Sequence, residues 1–243
     1  MLKVGILGGG QLGRMLLQAA ANYPVETWVM ENDEDCPAAH LCHHFVKGDI
    51  RNYDEVYHFG KGLDALTIEI ESEKDTVLAA LEAEGVKVYP RAAALQVIKD
   101  KIRQKQFYAD HDVPSAAFVV TQSLRDLVQH TDFFPAVHKL GSGGYDGRGV
   151  QVIASAEEID KGFDAPAVLE KKINIHKEIA QIVAVNEAGQ TTLYPPVDMV
   201  FNPVLNLLDY QVSPAELAEP VLWKVEAIAL KVVKALKSPG IFA

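Results

Sequence analysis

The stretch "FPAVHKLGSGGYDGRGV", residues 134–150, combines an apolar run, a lysine and a dense group of glycines. Lys139 stands near the end of the apolar run, and five glycines follow within the nine residues 141–149. Successive glycines let backbone amides wrap around phosphate oxygens, and a lysine at a strand end adds a point charge. A surface hairpin is the alternative, but a hairpin turn needs one or two glycines at fixed positions. This glycine cluster, residues 141–149, therefore predicts a lid over phosphates.

A second glycine-rich stretch, "LKVGILGGGQLGRM", opens the chain with the spacing G-x-G-x-x-G at Gly8, Gly10 and Gly13. Nicotinamide and flavin dinucleotide sites place such a loop between a strand and a helix, although the motif alone is weak. Glu31, eighteen residues after Gly13, is placed to hold a dinucleotide ribose. The first glycine loop, residues 8–13, is therefore compatible with a dinucleotide-binding site. A dinucleotide-binding protein, however, has no need for a second phosphate loop with its own lysine.

Composition restricts the class of protein. With 243 residues and 49% hydrophobic content, the chain can bury a sizeable core in one or two domains. Its 33 acidic against 23 basic side chains, a net charge of −10, argue against nonspecific binding to nucleic acid or anionic membranes. The N-terminal apolar run is too short to span a bilayer, so we expect no signal peptide, no transmembrane segment and a cytoplasmic protein.

The order of apolar runs predicts an α/β chain. Up to residue 98, short apolar runs alternate with stretches of helical period, as in a doubly wound parallel sheet. The predicted strands cover residues 2–7, 26–30, 44–48, 64–70 and 86–90, and the predicted helices cover 11–20, 53–61 and 75–85. A charged helix over residues 98–112 then leads to short strands around the glycine cluster, which places a domain boundary near Asp100.

The last third of the chain predicts antiparallel strands and one long helix. Residues 177–186 and 190–201 alternate like a strand pair, and a helix over 221–236 carries one apolar face. The residues of that face are Val221, Val225, Ile228, Val232 and Leu236. The chain closes on "LKSPGIFA", which reads as the opening of an apolar strand, so we expect a truncated sequence.

The segment "DCPAAHLCHHF", residues 35–45, places Cys36 and Cys42 among three histidines. Such ligands suit zinc, but this spacing matches none of the usual zinc patterns. Buried small residues beside surface histidines explain the segment better, and we expect no metal there.

At the glycine cluster, residues 141–149, and in several other stretches the chain resembles the ATP-grasp ligases, and within them the 5-(carboxyamino)imidazole ribonucleotide synthetases of purine biosynthesis. The matching stretches stand in family order and cover nearly the whole chain: "GILGGGQLGRM", "LTIEIE", "VYPRAAALQVIKDKIRQKQF", "GGYDGRGV", "LEKKINIHKEIAQIVAVN" and "ALKSPGIFA". The resemblance implies an ATP-grasp fold in three parts. Residues 1–98 would form a substrate-binding pre-ATP-grasp domain on a doubly wound parallel sheet, 99–170 an α+β lid subdomain, and 171–243 a truncated α+β C-terminal subdomain.

The resemblance also implies a reaction: ATP phosphorylates bicarbonate, and the amine of 5-aminoimidazole ribonucleotide attacks the resulting carboxyphosphate, so that ADP and phosphate are released. ATP and magnesium would be required, the other partners would be small-molecule substrates, with no nucleic acid or membrane, and a homodimer is one expected oligomeric state. Phosphoryl transfer needs its charge neutralised by lysines, backbone amides and magnesium.

For ATP, the resemblance places Lys101 and Lys139 on the phosphates. The loop that closes over them is Gly144, Tyr145, Asp146, Gly147, Arg148 and Gly149. The adenine edge would meet Glu170, Lys171, Lys172 and Ile173. Glu178 would hold the ATP ribose, because a carboxylate accepts hydrogen bonds from both hydroxyls of a diol.

For the ribonucleotide substrate, the resemblance points to Gln11, Leu12 and Glu69, and to Tyr145, Asp146 and Arg148 from the lid. Arg148 would stabilise carboxyphosphate, and Asp146 would orient or deprotonate the amine. Glu69 and Glu71 stand two apart on a predicted strand, which puts them on the same face. The magnesium ligands of the family lie beyond Ala243, so we expect no metal site and no catalytic competence in the chain as given.

Two departures from the family pattern stand out. Gly141 and Ser142 replace a basic residue and a threonine before the lid motif, and Phe201 stands near a position where some relatives have an ATP-contacting histidine. Two other functions stay open. One is another ATP-grasp ligase, of the formate-dependent glycinamide ribonucleotide transformylase or biotin carboxylase type, against which the lid motif and Gln11 argue. The other is a non-catalytic nucleotide-binding fragment.

Overall fold

The computed structural model describes residues 1–144, 149–202 and 207–243. These residues form two compact units, one of residues 1–96 with 238–240 and one of residues 97–237 with 241–243. The division of the second unit at residue 170 stays a prediction. None of the described helices is long and apolar enough to cross a membrane.

The first unit is built on a five-stranded parallel sheet. Its strands are β1 (Leu2–Leu7), β2 (Val25–Glu31), β3 (His44–Lys47), β4 (Ala65–Ile68) and β5 (Lys87–Tyr89). They lie in the order β3-β2-β1-β4-β5. The helices are α1 (Gln11–Ala20), α2 (Tyr53–Gly60), α3 (Asp75–Ala83) and α4 (Ala92–Ile98), the last of which spans the division between the units. The predicted doubly wound sheet is confirmed.

Both faces of this sheet are covered, which explains why its strands read as continuous apolar runs. Leu7 and Met30 belong to one buried cluster, whereas their neighbours Ile6 and Val29 belong to another. Successive side chains of a strand point to opposite faces, so the two clusters lie on opposite sides of the sheet. Leu17 of α1 packs into the second cluster, and residues of α2 and α3 pack into the first.

The second unit contains a four-stranded antiparallel sheet with the order β6-β9-β7-β8. Its strands are β6 (Phe118–Thr121), β7 (Ala136–Leu140), β8 (Val150–Ile153) and β9 (Ala167–Lys171), and α5 (Lys101–Asp110) packs on β9. A short helix α6 (Leu124–Leu127) and 3-10 turns at Val128–Phe133 and Ala156–Lys161 complete this part.

Two three-stranded sheets and a long helix follow. The strands are β10 (Glu178–Ala180), β11 (Val183–Val185), β12 (Thr191–Leu193), β13 (Val197–Phe201), β14 (Leu208–Val212) and β15 (Gly240–Phe242). The sheets have the orders β10-β13-β14 and β12-β11-β15, and α7 (Glu219–Leu236) packs on β11. The predicted antiparallel pairing is confirmed, although each predicted strand is divided into two short ones.

Two helix predictions need correction. The predicted helix over 98–112 begins at Lys101, because the Asp100 carboxylate accepts hydrogen bonds from the amides of Ile102 and Arg103 and so caps α5. In α7, Val221 and Ile228 of the predicted apolar face are 46% and 36% exposed, and the buried residue is Val233. Apolar residues stand on several faces of α7, so helical period alone does not identify the packed one.

Candidate functional site

The first glycine loop lies where the strand order of the parallel sheet reverses. The carboxyl ends of β1 and β4 are adjacent there, and the Glu69 amide donates to the Leu7 carbonyl at 2.8 Å. Ligands of open α/β sheets bind in the crevice at such a switch point. Gly8 has a φ of +105°, in the left-handed region that favours glycine, as the chain turns from β1 into the loop. The fold thus places Glu69 beside the first glycine loop.

The Glu69 carboxylate caps α1 from the residue directly after β4. Its Oε2 accepts from the Gly10 amide at 2.8 Å, and its Oε1 accepts from the Leu12 amide at 3.1 Å. Gly10 has no side chain to cap the helix, so Glu69 satisfies amides that would otherwise lack a partner and places a negative charge at the positive end of the helix dipole. Of the predicted substrate residues, the structure brings Leu12 and Glu69 into contact, and the exposed Gln11 lies between the two capped amides.

A second carboxylate holds the same loop. Glu31, at the end of β2, accepts from the Gly9 amide through Oε2 at 3.1 Å. The amides of Gly9, Gly10 and Leu12 are therefore all bonded to carboxylates. A dinucleotide pyrophosphate would need such amides and would meet two negative charges here. The observed role of Glu31 is to hold the loop.

The glycines of the first loop are explained by close packing within the protein. A Cβ on Gly10 would lie 2.5 Å from Glu69 Oε1, and one on Gly8 would lie 2.7 Å from Glu69 Oε2. A Cβ on Gly9 would lie 2.4 Å from Cys36 Sγ. These glycines are needed so that Glu69 and Cys36 can approach the backbone, whereas the sequence pattern had suggested the approach of a phosphate.

The prediction that Glu69 and Glu71 share one face of a strand is wrong. Strand β4 ends at Ile68, so both glutamates lie beyond it, and strand alternation does not apply. Glu69 is half-buried against the glycine loop, whereas Glu71 is exposed.

The second unit holds a cluster of three charged side chains, Lys105, Glu170 and Lys139. Lys139 of β7 and Glu170 of β9 are diagonal neighbours on one sheet face, because Glu170 pairs directly with Val137. Lys139 Nζ lies 3.1 Å from Glu170 Oε1, and Lys105 Nζ, from α5, lies 3.1 Å from Glu170 Oε2. Lys139 and Glu170 were predicted ATP residues. Lys105 was missed as a functional residue, although it stands in the matching stretch "VYPRAAALQVIKDKIRQKQF" between Gln104 and Gln106.

The glycine cluster begins next to these lysines. Lys101 is the first residue of α5, and its amide donates to the Gly141 carbonyl at 2.7 Å. The Leu140 amide donates to the Gly149 carbonyl at 2.9 Å, and a Cβ on Gly149 would lie 3.0 Å from the Gly144 Cα. Lys101, Lys139 and both described ends of the predicted lid therefore lie in the same region. The predictions for Tyr145, Asp146, Gly147 and Arg148 fall outside the described residues.

Gly141, one of the departures from the family pattern, is buried. A Cβ at this position would lie 2.9 Å from Ile102 Cδ1 and 3.1 Å from the Pro166 carbonyl oxygen. The start of α5 thus leaves little room for a side chain, so packing explains the glycine.

The predicted adenine stretch follows Glu170 at the end of β9. The amides of Lys171 and Lys172 donate to backbone carbonyls of neighbouring segments at 2.9 and 3.0 Å, and the Glu170 carboxylate is bonded to lysines. Ile173 is 60% exposed, and Glu178 on β10 is also exposed. The adenine and ribose contacts of this stretch stay predictions.

His138 and Tyr108 are buried or half-buried titratable groups of the second unit. His138 lies on β7 next to Lys139, and its ring contacts Thr121 Oγ1 at 2.9 Å and accepts from the Phe163 amide at 3.2 Å. Burial lowers the pKa of His138. Burial, with the nearby Glu170 charge, raises the pKa of Tyr108. We assign His138 a structural role, because its two ring nitrogens are bonded within the protein.

Among residues 1–144, 149–202 and 207–243, no three histidine, cysteine, aspartate or glutamate side chains are grouped to hold a metal ion. Burial raises the pKa of both the Cys36 and the Cys42 thiols. A cavity of about 510 Å³ lies between α2 and the first three strands. Lys3, Trp28, Lys47 and Lys61 line it, and none of the predicted site residues does.

Comparison with known proteins identifies the class. Residues 1–99 match the ribonucleotide synthetase preATP-grasp domain, and residues 106–243 match the ATP-grasp domain. The chain belongs to the ATP-grasp family, so the fold expected from the resemblance is confirmed.

Particular relatives agree with the branch of the family that the sequence resembles. The chloroplastic phosphoribosylaminoimidazole carboxylase of Vigna aconitifolia is 34% identical over 250 residues, which is 99% of this chain and 44% of the relative. The crystal structure of N5-carboxyaminoimidazole ribonucleotide synthetase from Thermotoga maritima is 29% identical, with a TM-score of 0.88 over 99% of this chain and 63% of that one. The N5-carboxyaminoimidazole synthase of Aspergillus clavatus, in complex with ADP and 5-aminoimidazole ribonucleotide, is 27% identical, with a TM-score of 0.88 over 99% and 64% of the two chains. The chain spans about half the length of the curated relatives it matches.

Proposed function

We propose that this chain is the ligand-binding part of an ATP-dependent carbon–nitrogen ligase of de novo purine biosynthesis. Its reaction is the carboxylation of 5-aminoimidazole ribonucleotide by bicarbonate through carboxyphosphate, which gives 5-carboxyaminoimidazole ribonucleotide, ADP and phosphate. Membership of the ATP-grasp family supports the ligase class. The Aspergillus clavatus relative, which is described as a complex with ADP and 5-aminoimidazole ribonucleotide, supports the substrates.

One observation carries the proposal: the two glycine-rich regions carry opposite charge. In the first, the amides are bonded to the carboxylates of Glu31 and Glu69. In the second, Lys101 and Lys139 lie beside the glycines. A triphosphate therefore favours the second region. The first suits the hydrogen-bond donors of a ribonucleotide, its ribose hydroxyls and exocyclic amine, because the lone pairs of a carboxylate can accept further hydrogen bonds.

In the proposed ATP site, the lysines Lys101 and Lys139 balance the charge of the triphosphate, the main requirement of phosphoryl transfer. The adenine edge meets the stretch Glu170, Lys171, Lys172 and Ile173. Within it the Ile173 amide is our candidate donor, because the amides of Lys171 and Lys172 are already bonded. Glu178 accepts from the ATP ribose.

At the reacting atoms, we assign Arg148 to carboxyphosphate and Asp146 to the amine, with Tyr145 beside the substrate. These assignments rest on the family resemblance alone. Magnesium would supply charge neutralisation when bound; among the described residues no three histidine, cysteine, aspartate or glutamate side chains are grouped to hold it, and we derive no step through it. A cytoplasmic location and a homodimer also stay predictions.

Calorimetry on this chain tests the proposal with four ligands: ATP, NAD, 5-aminoimidazole ribonucleotide and glycinamide ribonucleotide. We expect binding of ATP and of 5-aminoimidazole ribonucleotide and none of NAD. Tight binding of NAD without ATP would overturn the ligase assignment. Preference for glycinamide ribonucleotide would favour the transformylase type, and binding of ATP with neither ribonucleotide would favour a nucleotide-binding fragment.

A further inference from the structure

The Lys105, Glu170 and Lys139 cluster contains two ammonium groups and one carboxylate. The Lys105 and Glu170 side chains are only 11% and 10% exposed, whereas the Lys139 side chain is 31% exposed. The cluster thus carries one excess positive charge, and the exposed fractions decide which lysine can present that charge to a ligand.

Lys105 has little left to offer a ligand. Its Nζ lies 3.1 Å from Glu170 Oε2, donates to Ser115 Oγ at 2.5 Å and lies over the Phe118 ring, 6.0 Å from its centroid. Two of its three donors are used inside the protein, and an aromatic face lies against the ammonium. Lys105 therefore neutralises Glu170 from the buried side.

Lys139 is in the opposite situation. Among the described residues its Nζ has one ion-pair partner, Glu170 Oε1 at 3.1 Å. Its contacts within the described part of the chain use one of its three donors, which leaves two for a ligand. The excess charge of the cluster is therefore presented by Lys139, the lysine that leads into the glycine cluster.

We propose that Lys105 is a positioning residue that neutralises Glu170, so that Lys139 keeps an unbalanced positive charge for the nucleotide phosphates. Without Lys105, the nearly buried Glu170 carboxylate would have Lys139 as its one ammonium partner among residues 1–144, 149–202 and 207–243. An unpaired buried charge is costly, so the carboxylate would hold Lys139 tightly. A phosphate would then approach a neutral pair in place of a cluster with one positive charge. This inference rests on the proposed ATP site.

The test compares Lys105→Met with Arg103→Met, a variant that removes a positive charge from an exposed position of the same helix. Binding of ATP, adenosine and inorganic tripolyphosphate is measured by calorimetry, or by ligand-observed NMR where binding is weak. Lys105→Met is expected to weaken ATP and tripolyphosphate by about 10-fold, the scale of one charge-assisted hydrogen bond. Adenosine lacks phosphates, so it is expected to bind Lys105→Met with the same affinity as the wild type. Arg103→Met is expected to change the affinity for each ligand by less than about 3-fold, because an exposed ion pair contributes little.

A second variant separates charge balance from simple structural support. In Lys105→Met/Glu170→Gln, the carboxylate that would hold Lys139 is also gone. Tripolyphosphate, which makes no adenine contact, is expected to bind this double variant more tightly than it binds Lys105→Met. A purely structural role predicts no recovery. Circular dichroism and thermal unfolding show that each variant is folded before binding is measured.

Three outcomes would overturn the role of Lys105, and a fourth would overturn the proposed function. Equal losses for ATP and adenosine in Lys105→Met, or no recovery in the double variant, would overturn the role of Lys105. Binding of ATP to Lys105→Met with the affinity of the wild type would overturn that role as well. If the wild type binds no ATP and no tripolyphosphate, the proposed function itself fails.

Discussion

Replacement of Glu69 by glutamine tests the cap on α1 in the first unit. The carboxylate accepts two hydrogen bonds, from the Gly10 amide at 2.8 Å and the Leu12 amide at 3.1 Å. Glutamine offers one oxygen, so one amide loses its acceptor and faces an NH₂ group. The remaining bond loses its charge and the helix dipole loses its partner.

The magnitude follows from these two bonds. A hydrogen bond to a charged group contributes about 1.5–3 kcal/mol and a neutral one about 1 kcal/mol. The variant exchanges two hydrogen bonds to a charged group for one neutral hydrogen bond. Water reaches the half-buried site and offsets part of this loss. We expect the free energy of unfolding of the first unit to fall by about 2 kcal/mol.

The assay is urea unfolding followed by tryptophan fluorescence. The chain has two tryptophans, Trp28 in the first unit and the exposed Trp223 in the second. In a Trp223→Phe background, the signal reports on the first unit alone. The matched control is Glu71→Gln, an exposed glutamate two residues away, for which we expect a change within about 0.5 kcal/mol. If Glu69→Gln also stayed within that range, the proposed cap would be wrong.

Three further predictions concern stability. Gly9→Ala should cost about 1–3 kcal/mol because its Cβ would lie 2.4 Å from Cys36 Sγ, and unfolding in a Cys36→Ala background should show a smaller cost; an equal cost would contradict this packing. Asp100→Ala should cost about 1 kcal/mol through loss of the α5 cap, measured by urea unfolding, and an unchanged midpoint would be evidence against the cap. Burial lowers the pKa of His138, so its native state binds protons less readily than the unfolded state; stability should be fully present above the ordinary pKa of about 6.5 and fall below it. This fall should be smaller in His138→Asn when the free energy of unfolding is compared between about pH 7.5 and about pH 5.5. The same pH dependence in the variant as in the wild type would contradict the role of His138.

The architecture of the first unit was predictable because the pattern of its strands is local. The central strands β1 and β2 are buried on both faces, and the glycine loop, the helix and the next apolar run follow one another directly in the sequence. The predicted limits of α1, Gln11–Ala20, agree with the structure. Strand ends were less predictable: Glu69 and Glu71 lie past the end of β4, where the chain has already turned.

The partners within each site were not predictable in the same way. Glu31 meets the Gly9 amide 22 residues away, and Lys105 meets Glu170 only because α5 packs on β9. Both contacts depend on tertiary packing, which the local spacing of apolar residues in the sequence does not predict. A signal for Lys105 did exist, since Lys101 and Lys105 stand four apart on one helix and therefore on the same side of it. Burial distinguishes their roles, because Lys101 is exposed and Lys105 is buried.

We propose that ATP and the ribonucleotide bind at different sites, one at Lys139 and one at Glu69. The direct measurement is calorimetric binding of ATP and of 5-aminoimidazole ribonucleotide to the wild type, Lys139→Ala and Glu69→Gln, under conditions where each is folded. Lys139→Ala should weaken the binding of ATP by about 10-fold to 150-fold, which corresponds to the loss of one charged hydrogen bond. It should leave the affinity for the ribonucleotide unchanged. Glu69→Gln should weaken the ribonucleotide and leave ATP unchanged. If each substitution weakened both ligands equally, the assignment of two separate sites would be contradicted.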